Sequence, residues 1–187
     1  MFSASNIQTQ SFWLPMCFKA DRISKEMIGK RFFVTSGKAV DTVSSLNAFD
    51  AALVDAKISQ CNLVPVSSIL PPEAEEVPRS TIHPGSITFV VMARMDGDEG
   101  EEIAAGVAWT WESTHKYGMV AEAHGYMSRD AIDEILEWKL SEMARLRGIT
   151  ITEKKIRAET LTVPMDHYGS VVSALVFVPS SIDFSAR

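Results

Sequence analysis

The order of strand-like and helix-like segments constrains the fold of this chain more than any other feature. Seven runs rich in β-branched and aromatic residues are interrupted by only two segments with apolar residues at helical spacing. Three of the strand-like runs follow one another directly, whereas a doubly wound parallel fold would alternate each strand with a helix. Consecutive strands joined by short connections favour antiparallel pairing. The order therefore predicts a layered α+β domain.

The boundaries of these segments follow from turn and cap residues. Ser44 or Ser45 can cap a first helix that runs to about Lys57. Ser128 caps a second helix, which ends at Gly148. The strands are predicted at residues 31–35, 62–66, 86–95, 103–111, 117–124, 154–163 and 170–178.

Three local predictions concern the regions around these boundaries. Gly37 is predicted to end the first strand. Pro65 has no N–H group, so its strand should lie at a sheet edge or be irregular there. The apolar residues of the first helix recur at helical spacing and should form one face. These are Leu46, Phe49, Leu53 and Ala56.

Composition bounds the class of protein. A chain of 187 residues can form one domain with its own core; we expect residues 1–25 to be an arm or partly ordered extension and 26–187 the domain. The net charge of −6 argues against a nucleic-acid partner.

The cysteines and the apolar runs bear on the compartment. Cys17 and Cys61 lack zinc-site spacing, and so few cysteines fit a reducing cytoplasm. Without a signal-peptide pattern or a membrane-length apolar run, we expect no membrane partner.

One segment carries distinctive chemistry. Residues 62–72 read Asn-Leu-Val-Pro-Val-Ser-Ser-Ile-Leu-Pro-Pro, so a serine pair lies at the exit of an apolar run and just before two prolines. The Ser68 hydroxyl can attack the Ser67 carbonyl, and elimination and hydrolysis would leave a pyruvoyl group at a new N-terminus. Serine pairs also occur at residues 44–45 and 180–181, so the dipeptide alone fits an ordinary loop equally well.

The wider sequence around the serine pair resembles the pyruvoyl-dependent arginine decarboxylases. The resemblance runs from about residue 32 to 178. It implies a four-layer αββα sandwich with antiparallel and mixed sheets, cut into a β chain of residues 1–67 and an α chain of residues 68–187. It further implies a homo-oligomer, namely a trimer of processed units, with pairing of trimers into a hexamer as an alternative. The segments that carry it are Leu46-Asn47-Ala48-Phe49-Asp50, Asn62-Leu63-Val64 and Ser67-Ser68-Ile69-Leu70-Pro71-Pro72-Glu73-Ala74-Glu75.

The resemblance also implies a reaction. L-arginine would form a Schiff base with a pyruvoyl group derived from Ser68 and leave as agmatine and CO2, with no pyridoxal phosphate and no metal. Glu122 matches the family's catalytic glutamate, and an apolar strand would favour its protonated, proton-donating form. A strand carboxylate facing solvent is the plainer interpretation. His124 lies two residues on and should share the face of Glu122.

Three more residues match positions of the family pattern. Asn62 matches an asparagine that assists processing, although a strand-start Asn that bonds its own backbone explains it as well. Asp50 matches the acceptor of the substrate guanidinium, and Leu46 an apolar wall for its methylenes. The alternatives are a helix-surface carboxylate and a core leucine. Residues 59–61, Ser-Gln-Cys, depart from the small, Gly-rich turn of the family.

The unusual turn at residues 59–61 leaves the substrate open, and other functions must also be weighed. The same chemistry could act on another basic amino acid, or the chain could be a non-catalytic paralogue that serves as a partner subunit. A non-catalytic paralogue would be expected to lose Ser68 or Glu122, and this chain has both. The sequence therefore favours a cytoplasmic, self-processing arginine decarboxylase.

Overall fold

A computed structural model describes residues 29–179, so the arm expected at residues 1–25 lies outside the described part. Within residues 29–179 the chain forms nine strands and two helices. The strands are β1 (Arg31–Asp41), β2 (Asn62–Pro65), β3 (Ile69–Leu70), β4 (Glu75–Glu76), β5 (Ile87–Gly97), β6 (Glu102–Trp111), β7 (Gly118–Tyr126), β8 (Lys155–Thr162) and β9 (Tyr168–Phe177). The helices are α1 (Ser45–Asp55) and α2 (Arg129–Arg147).

The strands form two sheets. One has five strands in the order β2-β5-β9-β1-β4, and the other has four in the order β3-β7-β6-β8. The long neighbours pair antiparallel, whereas the edge strands β2 and β4 pair parallel with β5 and β1. The predicted α+β class is confirmed. No helix within residues 29–179 has the length and apolarity needed to cross a membrane.

Apolar clusters separate the elements into layers. Between the two sheets, Phe32 and Leu175 of the five-stranded sheet meet Val107 and Val120 of the four-stranded sheet. The other face of the five-stranded sheet packs against α1, and the other face of the four-stranded sheet packs against α2. Burial of apolar side chains in these layers is the main source of folding free energy.

The helix ends agree with the caps expected from the sequence. The Ser44 hydroxyl accepts a hydrogen bond from the amide of Asn47 at the start of α1. The Ser128 hydroxyl does the same for Ala131 in α2, and Gly148 ends that helix with a φ of 62°, in the left-handed region that glycine favours. These local signals mark the start of both helices and the end of α2.

One local prediction on the first strand was wrong, and one on the first helix was wrong at a single residue. Gly37 does not end β1, which continues to Asp41. Of the predicted apolar face of α1, Phe49, Leu53 and Ala56 do pack toward the sheet, together with the buried Ala48 and Ala52, but Leu46 is 67% exposed. At Gly37 the helix α1 lies so close to β1 that a Cβ atom would clash with the backbone of Ala52 and Ala56, so glycine here serves close packing and does not end the strand.

The segment after α1 crosses between the sheets. As expected for a strand that contains Pro65, β2 lies at an edge of the five-stranded sheet. The chain then pairs through β3 with the edge of the four-stranded sheet and returns through β4 to the far edge of the first. The sequence predicted neither β3 nor β4, because two-residue strands carry no periodicity. This crossing segment, residues 62–76, contains the serine pair.

A substitution at Gly37 tests the close packing of α1 on β1. A Cβ atom there would lie 2.3 Å from the carbonyl oxygen of Ala52 and 2.6 Å from the backbone nitrogen of Ala56. Gly37→Ala should therefore lower the free energy of unfolding by about 1–3 kcal/mol, the usual cost of overpacking. Urea unfolding measures the change.

Gly100→Ala is the matched control, since a Cβ at Gly100 meets no atom within 4 Å and only its φ of +79° is unfavourable. It should cost less than Gly37→Ala. A Gly37→Ala protein as stable as the wild type would contradict the packing described here.

Candidate active site

The crossing segment holds the serine pair between the two sheets. On the upstream side, the amide of Val66 donates a 2.9 Å hydrogen bond to the carbonyl of Val90 in the five-stranded sheet. On the downstream side, the amide of Val120 donates a 2.9 Å hydrogen bond to the carbonyl of Ser68. The Ser67–Ser68 peptide bond is therefore flanked by one anchor in each sheet.

The strand pairing places Glu122 beside this segment. β3 pairs only with Gly118 and Met119, so the edge of β7 is open beyond them. Glu122 lies on this open stretch, and its carbonyl oxygen accepts a 2.7 Å hydrogen bond from the ammonium of Lys139 in α2. The side chain of Lys139, rather than a neighbouring strand, thus satisfies the backbone carbonyl of Glu122.

Ser68 and Glu122 line the same cavity. Its volume is about 320 Å³, and its wall includes both the end of the crossing segment and one edge of α2. The lining residues are Ser68, Val120, Ala121, Glu122, Trp138, Lys139, Glu142, Met143 and Leu146. Two residues that are expected to act in one reaction therefore border the same cavity.

A second cavity lies on the other side of the serine pair. Its volume is about 450 Å³, and apolar side chains form most of its wall. The lining residues are Gly29, Val66, Ser67, Ile69, Pro71, Phe89 and Phe177. Ser67 thus lines one cavity and Ser68 lines the other.

Three charged residues line the cavity of Ser68, namely Glu122, Lys139 and Glu142. The Arg145 guanidinium donates hydrogen bonds to the carboxylate of Glu142 and holds the pKa of that carboxyl below its usual value. Glu142 is therefore ionised at neutral pH, and Lys139 supplies a positive charge between it and β7. The cavity presents both signs of charge, as a site for an amino acid requires.

The expected apolar surroundings of Glu122 are not provided by residues 29–179 of a single chain. The Glu122 side chain is exposed, and so is that of His124 two residues on. The register places the two on one face of β7, opposite Val107 and Ala105 of β6. The apolar neighbours of Glu122 suggested burial and a solvent-facing carboxylate was the alternative; within residues 29–179 of one chain the side chain is exposed.

The remaining predicted residues lie elsewhere in the chain. Asn62 begins β2, and its amide nitrogen donates a 2.8 Å hydrogen bond to the carbonyl of Gly85. An extended strand rises about 3.3 Å per residue, so Asn62 lies about 13 Å from Val66, where β2 pairing ends. Asp50 and Leu46 are exposed on α1, against the other sheet. None of the three lines the cavity of Ser68 and Glu122.

Sequence reasoning missed the contribution of α2 to the cavity. Trp138 and Leu146 are 63% and 72% exposed and lie outside the buried stripe of the helix, whose members include Leu136 and Leu140. Large apolar residues on the polar side of an amphipathic helix mark a binding or contact surface. That pattern is visible in the sequence and could have identified this edge of α2.

Comparison with known proteins identifies the family. The model of a family described as pyruvoyl-dependent arginine decarboxylase matches residues 31–182. The pyruvoyl-dependent arginine decarboxylase of Methanopyrus kandleri is 36% identical over 154 residues, which cover 80% of this chain and 97% of that protein. That of Methanocella arvoryzae is 33% identical over 162 residues, which cover 81% and 97%. A solved structure of pyruvoyl-dependent histidine decarboxylase at pH 8 is 16% identical, with a TM-score of 0.45 and 56% coverage of each chain.

The family match defines a class of enzyme, the decarboxylases that depend on a covalent pyruvoyl group. Within that class, the chain belongs to the pyruvoyl-dependent arginine decarboxylase family. Residue 68 fits such a group, because its carbonyl is held by the amide of Val120 and the cavity lies next to it.

Proposed function

We propose that this chain is a self-processing enzyme that converts L-arginine to agmatine and CO2. One observation carries the proposal: Ser68 and Glu122, far apart in sequence, line one cavity of about 320 Å³. Family membership supports the substrate and the dependence on a pyruvoyl group. When present at residue 68, that group supplies an electrophilic ketone that withdraws electrons from the substrate as CO2 departs.

Self-processing begins with attack of the Ser68 hydroxyl oxygen on the carbonyl carbon of Ser67. The amide bond breaks as an ester forms, and the hydroxyl proton passes to the nitrogen of Ser68. Loss of the α-proton of residue 68 then expels the carboxylate of Ser67 and leaves dehydroalanine. Addition of water and release of ammonia convert the dehydroalanine to the ketone.

The anchors on either side of the serine pair support a cut at this bond. Residues 62–66 belong to the edge of the five-stranded sheet, and residues 68–70 pair with the edge of the four-stranded sheet. Breaking the bond between Ser67 and Ser68 leaves both sets of hydrogen bonds intact. Each new chain end keeps its place without the covalent link.

In the proposed reaction, Glu122 donates a proton to the substrate carbon that has lost CO2. A carboxyl can do this only when it carries a proton, and removal from water favours that neutral form. A second subunit that covers the open edge of β7 would exclude water from Glu122. Lys139 keeps the Glu122 carbonyl, and with it this part of the strand, in place.

We therefore infer a homo-oligomer, most simply a trimer of processed αββα sandwiches, in which neighbours complete the site. Asp50 and Leu46 would bind the guanidinium and methylenes of arginine at a neighbour's cavity, and Asn62 would assist the neighbour's processing. The exposure of Leu46 (67%), together with that of Trp138 and Leu146 at the cavity, supports such contacts. The few cysteines of the chain fit a cytoplasmic enzyme.

The serine pair offers a test of self-processing with its own control. Ser68→Ala has no hydroxyl at the attacking position, so this protein should remain an intact chain of 187 residues. Ser67→Ala keeps the hydroxyl of Ser68 and should still yield residues 1–67 and 68–187. Denaturing mass spectrometry separates the two results. Equal processing of both variants would rule out Ser68 as the nucleophile.

Replacement of Glu122 tests its role as the proton donor. Glu122→Gln keeps the shape of the side chain but has no acidic proton, so a fully processed variant should lose about 10²–10⁴-fold in kcat. CO2 release from arginine measures the loss. Glu134→Gln, on the exposed side of α2, should retain wild-type activity. Near-normal turnover by processed Glu122→Gln would remove this residue from the mechanism.

Asp50 is expected to select a cationic side chain. Asp50→Asn should raise the KM for arginine by about 10²-fold or more, since a site built for a polar partner discriminates strongly. It should leave processing unchanged, which involves no guanidinium. The wild type should prefer arginine to lysine, whose ammonium cannot pair bidentately.

Asp55→Asn removes a carboxylate from the same helix and serves as the control. The assay is CO2 release from arginine, lysine and an uncharged analogue. If Asp50→Asn keeps the wild-type order of preference and KM values, Asp50 is a surface carboxylate. A wild type that prefers another basic amino acid would change the substrate assignment and leave the chemistry standing.

A further inference from the structure

One ion pair of the five-stranded sheet lies directly under the helix that carries Asp50. Successive side chains of a strand point to opposite faces, so Arg94 and Asp96 lie on the same face of β5 as Val90. Val90 packs in the cluster formed with α1, which fixes that face as the one toward the helix. The proposed function assigns no role to this ion pair.

The geometry of the pair holds the arginine in one position. Nε and a terminal nitrogen of Arg94 donate to the two carboxylate oxygens of Asp96 at 2.9 and 2.5 Å. The hydroxyl of Ser170 donates to Asp96 at 2.8 Å and fixes the carboxylate in turn. Bidentate pairing orients the guanidinium as well as binding it. The orientation of the Arg94 guanidinium plane is therefore set by Asp96 and Ser170 of the sheet.

The guanidinium so fixed lies on an aromatic ring of α1. Its central carbon is 3.5 Å from the centroid of the Phe49 ring, well within the range of a cation–π contact. Phe49 immediately precedes Asp50 and lies three residues after Leu46, so it adjoins both residues assigned to arginine binding on α1. A contact that fixes the Phe49 ring therefore also restrains the turn of α1 that carries Leu46 and Asp50.

We propose that Arg94, held by Asp96, is a positioning residue for substrate recognition that acts through Phe49 on Asp50. The inference depends on the proposed role of Asp50. Arg94 fixes the ring of Phe49 and, with it, the direction in which this turn of the helix presents its carboxylate. A carboxylate that binds a guanidinium bidentately must be held in a narrow range of orientations.

The pairing with Asp96 also serves an electrostatic purpose. A guanidinium without a carboxylate partner would place an uncompensated positive charge under the turn of α1 that carries Asp50. Asp96 neutralises Arg94 and satisfies two of its donors, so the positive charge of the substrate is the one that Asp50 receives. The Arg94–Asp96 pair thus supports the helix rigidly and adds no net charge beside Asp50.

Steady-state kinetics of two processed variants test the proposal. Arg94→Met removes the guanidinium and Phe49→Leu removes the ring, so either should raise the KM for arginine about five- to tenfold, as loss of a cation–π contact of ordinary strength predicts. The kcat at saturating arginine and the rate of self-processing should change less than about twofold, because neither Ser68 nor Glu122 is touched. Arg129→Met breaks an ion pair with Asp133 on α2 and should leave KM unchanged.

A double-mutant cycle distinguishes positioning from simple stabilisation. If Arg94 acts through Asp50, Arg94→Met should add little to the KM of Asp50→Asn. Full additivity of the two effects, or wild-type KM in both processed variants, would overturn the inference and leave the proposed function standing. No change of KM in Asp50→Asn itself would overturn both. If Arg94→Met fails to fold, Phe49→Leu, which keeps the ion pair, decides the question.

Discussion

The structure depends on the hydrogen bonds that tie one short segment to three sheet edges. Residues 62–76 pair first with β5, then with β7 and finally with β1, so a single stretch of chain links both sheets. The amides of Val66 and Val120 carry the two contacts that flank the serine pair. Because these contacts belong to different sheets, the chain on each side of the Ser67–Ser68 peptide bond has its own anchor. A cut at this bond would leave both of these hydrogen bonds in place.

The same arrangement of sheets and helices separates the residues proposed for catalysis from those proposed for substrate binding. The crossing segment and the open edge of β7 bring the chemical groups, Ser68 and Glu122, to one side of the molecule. The residues assigned to the substrate, Asp50 and Leu46, lie on α1 against the other sheet. In the assembly that we propose, a neighbouring chain would bring Asp50 and Leu46 to the cavity of Ser68 and Glu122. The exposed Trp138 supports such a contact, since a large apolar side chain at a cavity rim is stabilised by a partner.

Much of the secondary structure could be predicted from the sequence, because its signals are local. Ser44 and Gly148 mark helix ends by their own backbone preferences. What escaped prediction depends on contacts between distant segments. Gly37 was taken for a strand end, although it makes room for Ala52 of α1. The exposure of Glu122 depends on how far β3 extends, which two residues of sequence cannot specify.

The covalent group at residue 68 is the central claim, and a ketone-specific label tests it most directly. A hydrazide reacts with a ketone but not with the amine of an ordinary chain end. The purified wild-type protein, labelled with a hydrazide and denatured, should show by mass spectrometry an unlabelled piece of residues 1–67 and a labelled piece of residues 68–187. Digestion should locate the label at residue 68. An unlabelled, uncut chain of 187 residues would contradict the account.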